Sequence, residues 1–192
     1  MKRTVLPPNA RLIPESAELV FKGMIYDVYH WQQKMFDGTF ETFEMLKRPD
    51  TVRVIAIKDG QIVMLDQEQP GHAPFFDFPG GRHDIEGETE LEAAKRETLE
   101  ETGMTFKTWK LLDVVQPGGK MDYFIYTFLA TDFEHQIAQD LGAGEKIAVN
   151  LISFEELKQL TTHPKSRNFP KELLEGANSL DELLLLPEYT TE

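Results

Sequence analysis

The chain begins as a series of strand-forming segments separated by turn signals. Residues 17–22, 24–33 and 39–46 are rich in strand formers, and Asp37-Gly38 before the third segment is a strong hairpin signal. In a second block, Asp59-Gly60 separates the predicted strands 51–58 and 61–66. Further strands are predicted at 75–78, 107–116, 121–130 and 147–152.

Capping residues mark the predicted helices. Thr89 and Glu92 form a capping box and Gly103 is the residue type that ends helices, so a central helix lies between Thr89 and Gly103. Ser153 and Ser179 open two later helices. The pattern predicts an α+β fold: a small N-terminal antiparallel β-sheet subdomain at residues 1–48, opening with a proline-rich irregular arm, and a main domain with C-terminal helices at residues 49–192.

The central helix has a core-facing stripe and an acidic face. Leu91, Ala94 and Thr98 fall within one narrow stripe, which faces the core. The acidic residues of the adjoining face are Glu97, Glu100 and Glu101.

This acidic face is unfavourable for the helix itself. Like charges four residues apart cost about 0.2–0.5 kcal/mol per pair, and acids in the last turn oppose the helix dipole by about 0.3–1 kcal/mol. Clustered carboxylates are the oxygen ligands that Mg²⁺ prefers. The alternative is a solvated acidic face, which a chain with 33 acidic residues is expected to have somewhere.

Composition narrows the function classes. The formal net charge of −13 argues against nucleic-acid binding, which depends on many basic side chains. The same charge repels a polyphosphate substrate, so a divalent metal ion is the obvious means of binding one. No segment has the roughly 20 apolar residues of a membrane span. Cysteine is absent, which fits a cytoplasmic protein.

A longer motif includes the acidic face. Gly80-Gly81, Glu88, Arg96-Glu97-x-x-Glu100-Glu101 and x-Gly103-Met104 together resemble the signature of the Nudix hydrolases, G-x5-E-x7-R-E-U-x-E-E-x-G-U with U aliphatic. There are two departures: six residues instead of five separate Gly81 from Glu88, and Thr98 stands at the first U position. Neither departure changes a glutamate.

The resemblance implies an α/β/α sandwich with a mixed sheet and a Mg²⁺-dependent site, with Mn²⁺ as an alternative. By that resemblance Glu97 and Glu101 are the main metal ligands, with Glu100 sharing and a backbone carbonyl near Gly80 adding one. Arg96 holds the carboxylates in place, and Glu88 fixes the loop against the helix.

The general base and the substrate contacts are less defined. Glu145, in a glycine-rich loop before the last core strand, is the candidate base, with Glu134 weaker; the alternative for Glu145 is a plain exposed acid. Arg48 and Arg53 are candidates for phosphate binding. The candidate platform for a nucleobase is Tyr26, Tyr29 and Trp31, although aromatic residues in strands are more often core.

Within the family, the N-terminal hairpin is similar to the ADP-ribose pyrophosphatase branch, whose members are homodimers. The resemblance implies hydrolysis of the diphosphate of ADP-ribose or a related nucleotide sugar, by a homodimer. The alternative for the hairpin is that it packs on its own domain. One departure is that Gln67 and Gln69 stand where that branch has a substrate-binding arginine, and Asp77 stands in place of a glutamate. The alternatives are a Nudix hydrolase acting on a nucleoside triphosphate or dinucleotide, a non-catalytic nucleotide-binding protein of the same fold, and a purely structural protein.

Overall fold

A computed structural model describes residues 2–191 and contains two sheets. The N-terminal sheet has four strands in the order β1-β2-β3-β9. Its strands are β1 (Glu18–Lys22), β2 (Asp27–Lys34), β3 (Phe40–Lys47) and β9 (Met121–Asp122). The first three are antiparallel, as the hairpin signal predicts, whereas β9 comes from the second half of the chain and runs parallel to β3.

The larger sheet is mixed. Its main path is β11-β5-β4-β10-β8, with β6 paired to β5 and β7 paired to β4. Its strands are β4 (Asp50–Lys58), β5 (Gln61–Glu68), β6 (Phe75–Asp77), β7 (Gly80–His83), β8 (Met104–Val115), β10 (Ile125–Gln136) and β11 (Lys146–Ile152). Strands β4 and β10 are parallel, and the other pairings are antiparallel.

Helices cover both faces of this sheet. They are α1 (Glu90–Thr102), α2 (Phe154–Leu160), α3 (Lys171–Glu175) and α4 (Leu180–Leu184). Successive residues of β4 point to opposite faces. Val52 and Val54 therefore pack in the cluster that contains the buried alanines of α1, whereas Ile55 packs with α2, α3 and α4 on the other face. This is the expected α/β/α sandwich. Among residues 2–191, no helix is long and apolar enough to cross a membrane.

Two elements were not predicted. Helix α3 follows Pro170, which makes no side-chain cap hydrogen bond, so it lacks the capping signal that located the other helices. Strand β7 contains Gly80, at φ +151°, where a Cβ atom would lie 2.2 Å from the carbonyl oxygen of Val52. Only glycine permits this approach of two backbones, which allows Gly80 to pair with Arg53 of β4 within the sheet.

The N-terminal arm packs on the main domain. Arg3 forms ion pairs of 2.6 Å with Asp50 and 2.5 Å with Asp122, and the Thr4 hydroxyl donates to Glu90 at 2.7 Å. The Tyr126 hydroxyl donates to the Val5 carbonyl at 2.9 Å. A domain boundary between residues 48 and 49 stays a prediction, and these contacts join residues from both sides of it.

Candidate active site

Helix α1 is fixed by local signals at both ends. Thr89 and Glu92 form the predicted reciprocal capping box, and Gly103 ends the helix in the left-handed conformation at φ +70°. Ala94 and Thr98 are fully buried. The Thr98 hydroxyl donates to the Ala94 carbonyl at 2.7 Å. This intrahelical bond explains how threonine is accommodated where the signature has an aliphatic residue.

Arg96 holds three carboxylates. Its Nε and Nη2 donate to the two oxygens of Glu88 at 2.8 and 3.1 Å, a bidentate pair. Its Nη1 donates to Glu97 at 2.7 Å and to Glu100 at 3.2 Å. The hydrogen bonds that Arg96 donates to Glu88 are the main cause that raises the pKa of Arg96 above its ordinary value. These contacts are compatible with the predicted role of Arg96 in orienting the three acids.

The other acids lie against β7. The Gly80 amide donates to Glu101 Oε2 at 2.7 Å, and Glu101 is 6% exposed. The Glu97 carboxylate lies so close to Gly81 that a Cβ atom at that position would be 2.4 Å from Oε2. The absence of a side chain at Gly81 therefore makes room for the Glu97 carboxylate, while Glu101 is bound by the Gly80 amide.

Burial disfavours the charged form of the Glu97 and Glu101 carboxylates. It raises the pKa of Glu101 well above the ordinary range, against the hydrogen bond from Gly80, and repulsion from Glu97 and Glu145 adds to the effect. Burial also raises the pKa of Glu97, although Arg96 opposes the rise.

The loop that carries Glu145 is docked on the C-terminal end of α1. The Asp140 amide donates to the Glu100 carbonyl at 2.9 Å and the Ile137 amide to the Gly103 carbonyl at 2.9 Å. The first of these bonds satisfies a carbonyl that the helix end leaves without a partner. The Glu145 carboxylate accepts from the Gly142 amide at 2.9 Å. The predicted base is thus near enough to raise the pKa of the helix carboxylates.

One large cavity lies beside these acids, with a volume of about 1050 Å³. This is at the upper end of the roughly 300–1,000 Å³ typical of small-molecule sites. Of the predicted site residues, those in its wall are Glu97, Glu100, Glu101, Glu145, Gly80, Arg48, Arg53 and Tyr26.

Among residues 2–191, Tyr29 and Trp31 are not part of this cavity wall, and their contact with the substrate stays a prediction. Both residues lie in the middle of the N-terminal hairpin, opposite Met45 and Phe43 of β3. The Trp31 ring packs on Phe43 with centroids 5.8 Å apart. Tyr26 lies before β2 and reaches the cavity.

The two predicted arginines have different surroundings. Arg48 lies over the Tyr123 ring, 4.3 Å from its centroid. Arg53 is buried, and its donors bind the Thr127 hydroxyl and the Asn168 carbonyl. Burial lowers the pKa of Arg53 to about 10. Because protein groups already engage Arg53, its role as a phosphate ligand stays a prediction.

Further cavity residues were outside the predicted set. Asp77 accepts from the Asn168 side chain at 2.9 Å, and burial raises the pKa of Asp77 to about 6. Arg167 lies over the Phe75 ring, 4.4 Å from its centroid. The position of Asp77 before Pro79-Gly80-Gly81 was a usable signal, whereas nothing in the sequence around Arg167 indicates a site.

The extra residue between Gly81 and Glu88 lies in a loop whose end is held by two hydrogen bonds to the Glu88 carbonyl. The buried His83 ring contacts the Glu88 carbonyl through Nε2 at 2.5 Å. The Lys2 amide donates to the same carbonyl at 2.8 Å. The insertion therefore leaves the Glu88 carboxylate in its bidentate contact with Arg96.

Comparison with known proteins identifies the class. Residues 47–173, more than half of the chain, match the family described as NUDIX domain, and the chain belongs to this family and is a Nudix hydrolase. It is 29% identical over 147 residues to an ADP-ribose pyrophosphatase of Bacillus subtilis (strain 168), covering 74% of this chain and 79% of that protein. It is 30% identical over 119 residues to an ADP-ribose pyrophosphatase of Mycobacterium tuberculosis (strain ATCC 25618 / H37Rv), covering 60% of this chain and 58% of that protein.

Solved structures support the same fold. A structure described as an ADP compounds hydrolase is similar with a TM-score of 0.62 and 19% identity, covering 79% of this chain and 83% of that one. A NUDIX hydrolase from Nitrosomonas europaea is similar with a TM-score of 0.53 and 22% identity, covering 64% of this chain and 82% of that one. The expected family and α+β fold are confirmed.

Proposed function

We propose that this Nudix hydrolase cleaves the diphosphate linkage of ADP-ribose or a related nucleotide sugar with the help of Mg²⁺ or Mn²⁺. The observation that carries the proposal is the single cavity shared by Glu97, Glu100, Glu101 and Glu145. The two relatives described as ADP-ribose pyrophosphatases support the substrate class.

The residues present fit a divalent cation. Among residues 2–191, no three acidic or histidine side chains are already gathered around one point. Glu97 and Glu100 instead bind Arg96, and Glu101 binds the Gly80 amide. The close approach of Glu97 to Gly81 and the raised pKa values of Glu97 and Glu101 nevertheless favour a cation there, because it would compensate buried negative charge. We assign Glu97, Glu101 and Glu100, with the Gly80 carbonyl, as its ligands.

The proposed chemistry divides among these residues. A divalent ion held by these carboxylates would supply charge neutralisation at the diphosphate oxygens and would help to orient a water molecule. Glu145, held by the Gly142 amide, accepts a proton from that water as its oxygen attacks one phosphorus and the bridging P–O bond breaks. Arg96 keeps Glu97 and Glu100 in position, and Glu88 fixes the orientation of Arg96.

A substrate panel tests this proposal. The full chain is incubated with Mg²⁺ or Mn²⁺ and with ADP-ribose, ADP-glucose, a dinucleotide or a nucleoside triphosphate, and products are separated by ion-exchange chromatography. Release of AMP from ADP-ribose or ADP-glucose is expected, with none in EDTA. Cleavage of the triphosphate alone, releasing pyrophosphate, contradicts the substrate class. Binding of these compounds without any cleavage contradicts catalysis and supports the non-catalytic alternative.

We also propose a homodimer formed through the N-terminal sheet. Strand β1 is exposed along its whole length in one chain, and the exposed apolar residues of this region include Phe21 at 61% and Met24 at 100%. Such surfaces mark association sites. Light scattering is expected to give a dimer for the wild type and a monomer for Phe21→Glu. Leu185→Glu, at an exposed apolar residue far along the chain, is the control that stays dimeric. A monomeric wild type contradicts the proposal.

A cytoplasmic location stays a prediction from composition.

A further inference from the structure

One part of the cavity wall is built by a segment that the signature does not include. Residues 165–168 run beside β6, and Phe76 forms an isolated parallel bridge with Ser166. Arg167 and Asn168 from this segment line the cavity together with His72 from the loop before β6 and Phe75 from β6 itself. We call these four residues the Arg167 subsite.

The backbone of the subsite is rigidly held. The Phe76 amide donates to the Lys165 carbonyl at 2.9 Å, and the Arg167 amide donates to the Phe76 carbonyl at 2.9 Å. Asn168 adopts a left-handed conformation at φ +48°; its carbonyl accepts from Arg53 and its side chain donates to Asp77. A strained residue is retained where its surroundings fix it, so Arg167 starts from a defined position.

The side chain of Arg167 is also pre-positioned. Its guanidinium lies 4.4 Å from the centroid of the buried Phe75 ring, and Nη2 donates to His72 Nδ1 at 3.1 Å. Among residues 2–191, no carboxylate forms an ion pair with Arg167. In a chain with 33 acidic and 20 basic residues, such a cation in a cavity wall is available for an anionic ligand.

The other part of the cavity has different chemistry. Tyr26, Tyr123 and Ile125 lie there with Arg48, near the start of β10, whereas Arg167 and His72 lie beside β6. Flat aromatic and apolar groups suit a nucleobase, since stacking requires no hydrogen-bond match. A guanidinium beside amide and imidazole groups suits a phosphate on a hydroxyl-rich sugar.

We propose that the Arg167 subsite binds the sugar phosphate half of the substrate, so that the cavity accepts a nucleotide sugar in one orientation. The inference rests on the proposed function and adds to it a residue that recognises the non-nucleoside half. With ADP-ribose, that half is released as ribose 5-phosphate and the nucleoside half as AMP.

The two products separate the two halves of the cavity experimentally. Calorimetry in EDTA measures the binding of ribose 5-phosphate and of AMP to the wild type, to Arg167→Gln and to Lys165→Gln. The last variant is the matched control, because it removes the same charge from the same segment, and the Lys165 side chain is not part of the cavity wall. Arg167→Lys keeps the charge but lacks the planar, bidentate guanidinium.

Arg167→Gln is expected to weaken ribose 5-phosphate binding about 10- to 100-fold, the usual loss for a hydrogen bond to a charged group. In the same variant, AMP binding stays within twofold of the wild type, and the KM for ADP-ribose rises while kcat changes little. Arg167→Lys binds ribose 5-phosphate with intermediate affinity, and Lys165→Gln behaves as the wild type. A loss for AMP alone, an equal loss for both products, or no ribose 5-phosphate binding by the wild type overturns the assignment. If the wild type binds ribose 5-phosphate through Arg167 but cleaves no ADP-ribose, the subsite stands and the proposed function fails.

Discussion

Replacing Gly81 with alanine tests whether the missing side chain at this position is needed to place the Glu97 carboxylate. A Cβ atom at this position lies 2.4, 2.5 and 2.7 Å from Oε2, Cδ and Oε1 of Glu97, whereas carbon and oxygen atoms in ordinary contact are about 3.5 Å apart. The carboxylate must therefore move by about 1 Å. A displacement of that size in a catalytic group typically costs about 100-fold in rate, equivalent to about 2.7 kcal/mol of transition-state stabilisation.

Stability is expected to change little in Gly81→Ala. The atoms that must move belong to the far end of a flexible side chain, and Gly81 does not have a positive φ that alanine would strain. The free energy of unfolding in EDTA, measured by urea titration, should stay within about 1 kcal/mol of the wild type. The loss should instead appear in kcat/KM for the best substrate and in Mn²⁺ affinity measured by calorimetry.

Gly119→Ala is the matched control. A Cβ atom there also meets the end of a flexible side chain, 2.7 Å from Nη1 of Arg11, but Gly119 is not part of the cavity wall. We expect normal activity and normal Mn²⁺ affinity for this variant. The reasoning is refuted if Gly81→Ala keeps kcat/KM within about threefold of the wild type, or if both alanine variants lose activity equally.

Three further predictions concern other residues. Glu145→Gln should lower kcat about 10²- to 10⁴-fold without lowering the melting temperature, whereas Glu134→Gln, outside the cavity wall, should be normal; equal rates for both variants exclude Glu145 as the base. Asp77 has a pKa of about 6 in the folded chain, above its ordinary value of 3.8, so its contribution to stability is complete below pH 3.8 and is lost as the pH rises through 6. Asp77→Asn should remove this loss, so its free energy of unfolding exceeds that of the wild type by up to about 3 kcal/mol at pH 8 and by nothing near pH 3.8. A difference between variant and wild type that stays constant across this pH range contradicts the prediction. Arg3→Met leaves the buried Asp50 and Asp122 unpaired and should cost about 3–5 kcal/mol in urea unfolding, and a loss below about 1 kcal/mol contradicts a structural role for the N-terminal arm.

The sequence by itself determined the features that depend on neighbouring residues. Thr89 with Glu92 and Gly103 fixed both ends of α1, because capping acts between residues at most four positions apart. The spacing of Glu97, Glu100 and Glu101 placed them on one helix face for the same reason. The hairpin signals at Asp37-Gly38 and Asp59-Gly60 likewise located the strands that flank them.

Only the tertiary structure decided which distant residues meet in the cavity. The Gly80 amide binds Glu101, Arg53 binds Thr127, 74 residues away, and Asn168 binds Asp77, 91 residues away. Such contacts follow from the order in which strands pair and from where loops cross the sheet edge, and no local pattern records either. Tyr29 and Trp31 illustrate the same limit, because strand propensity gave their element but not whether they belong to the cavity wall, from which both are absent.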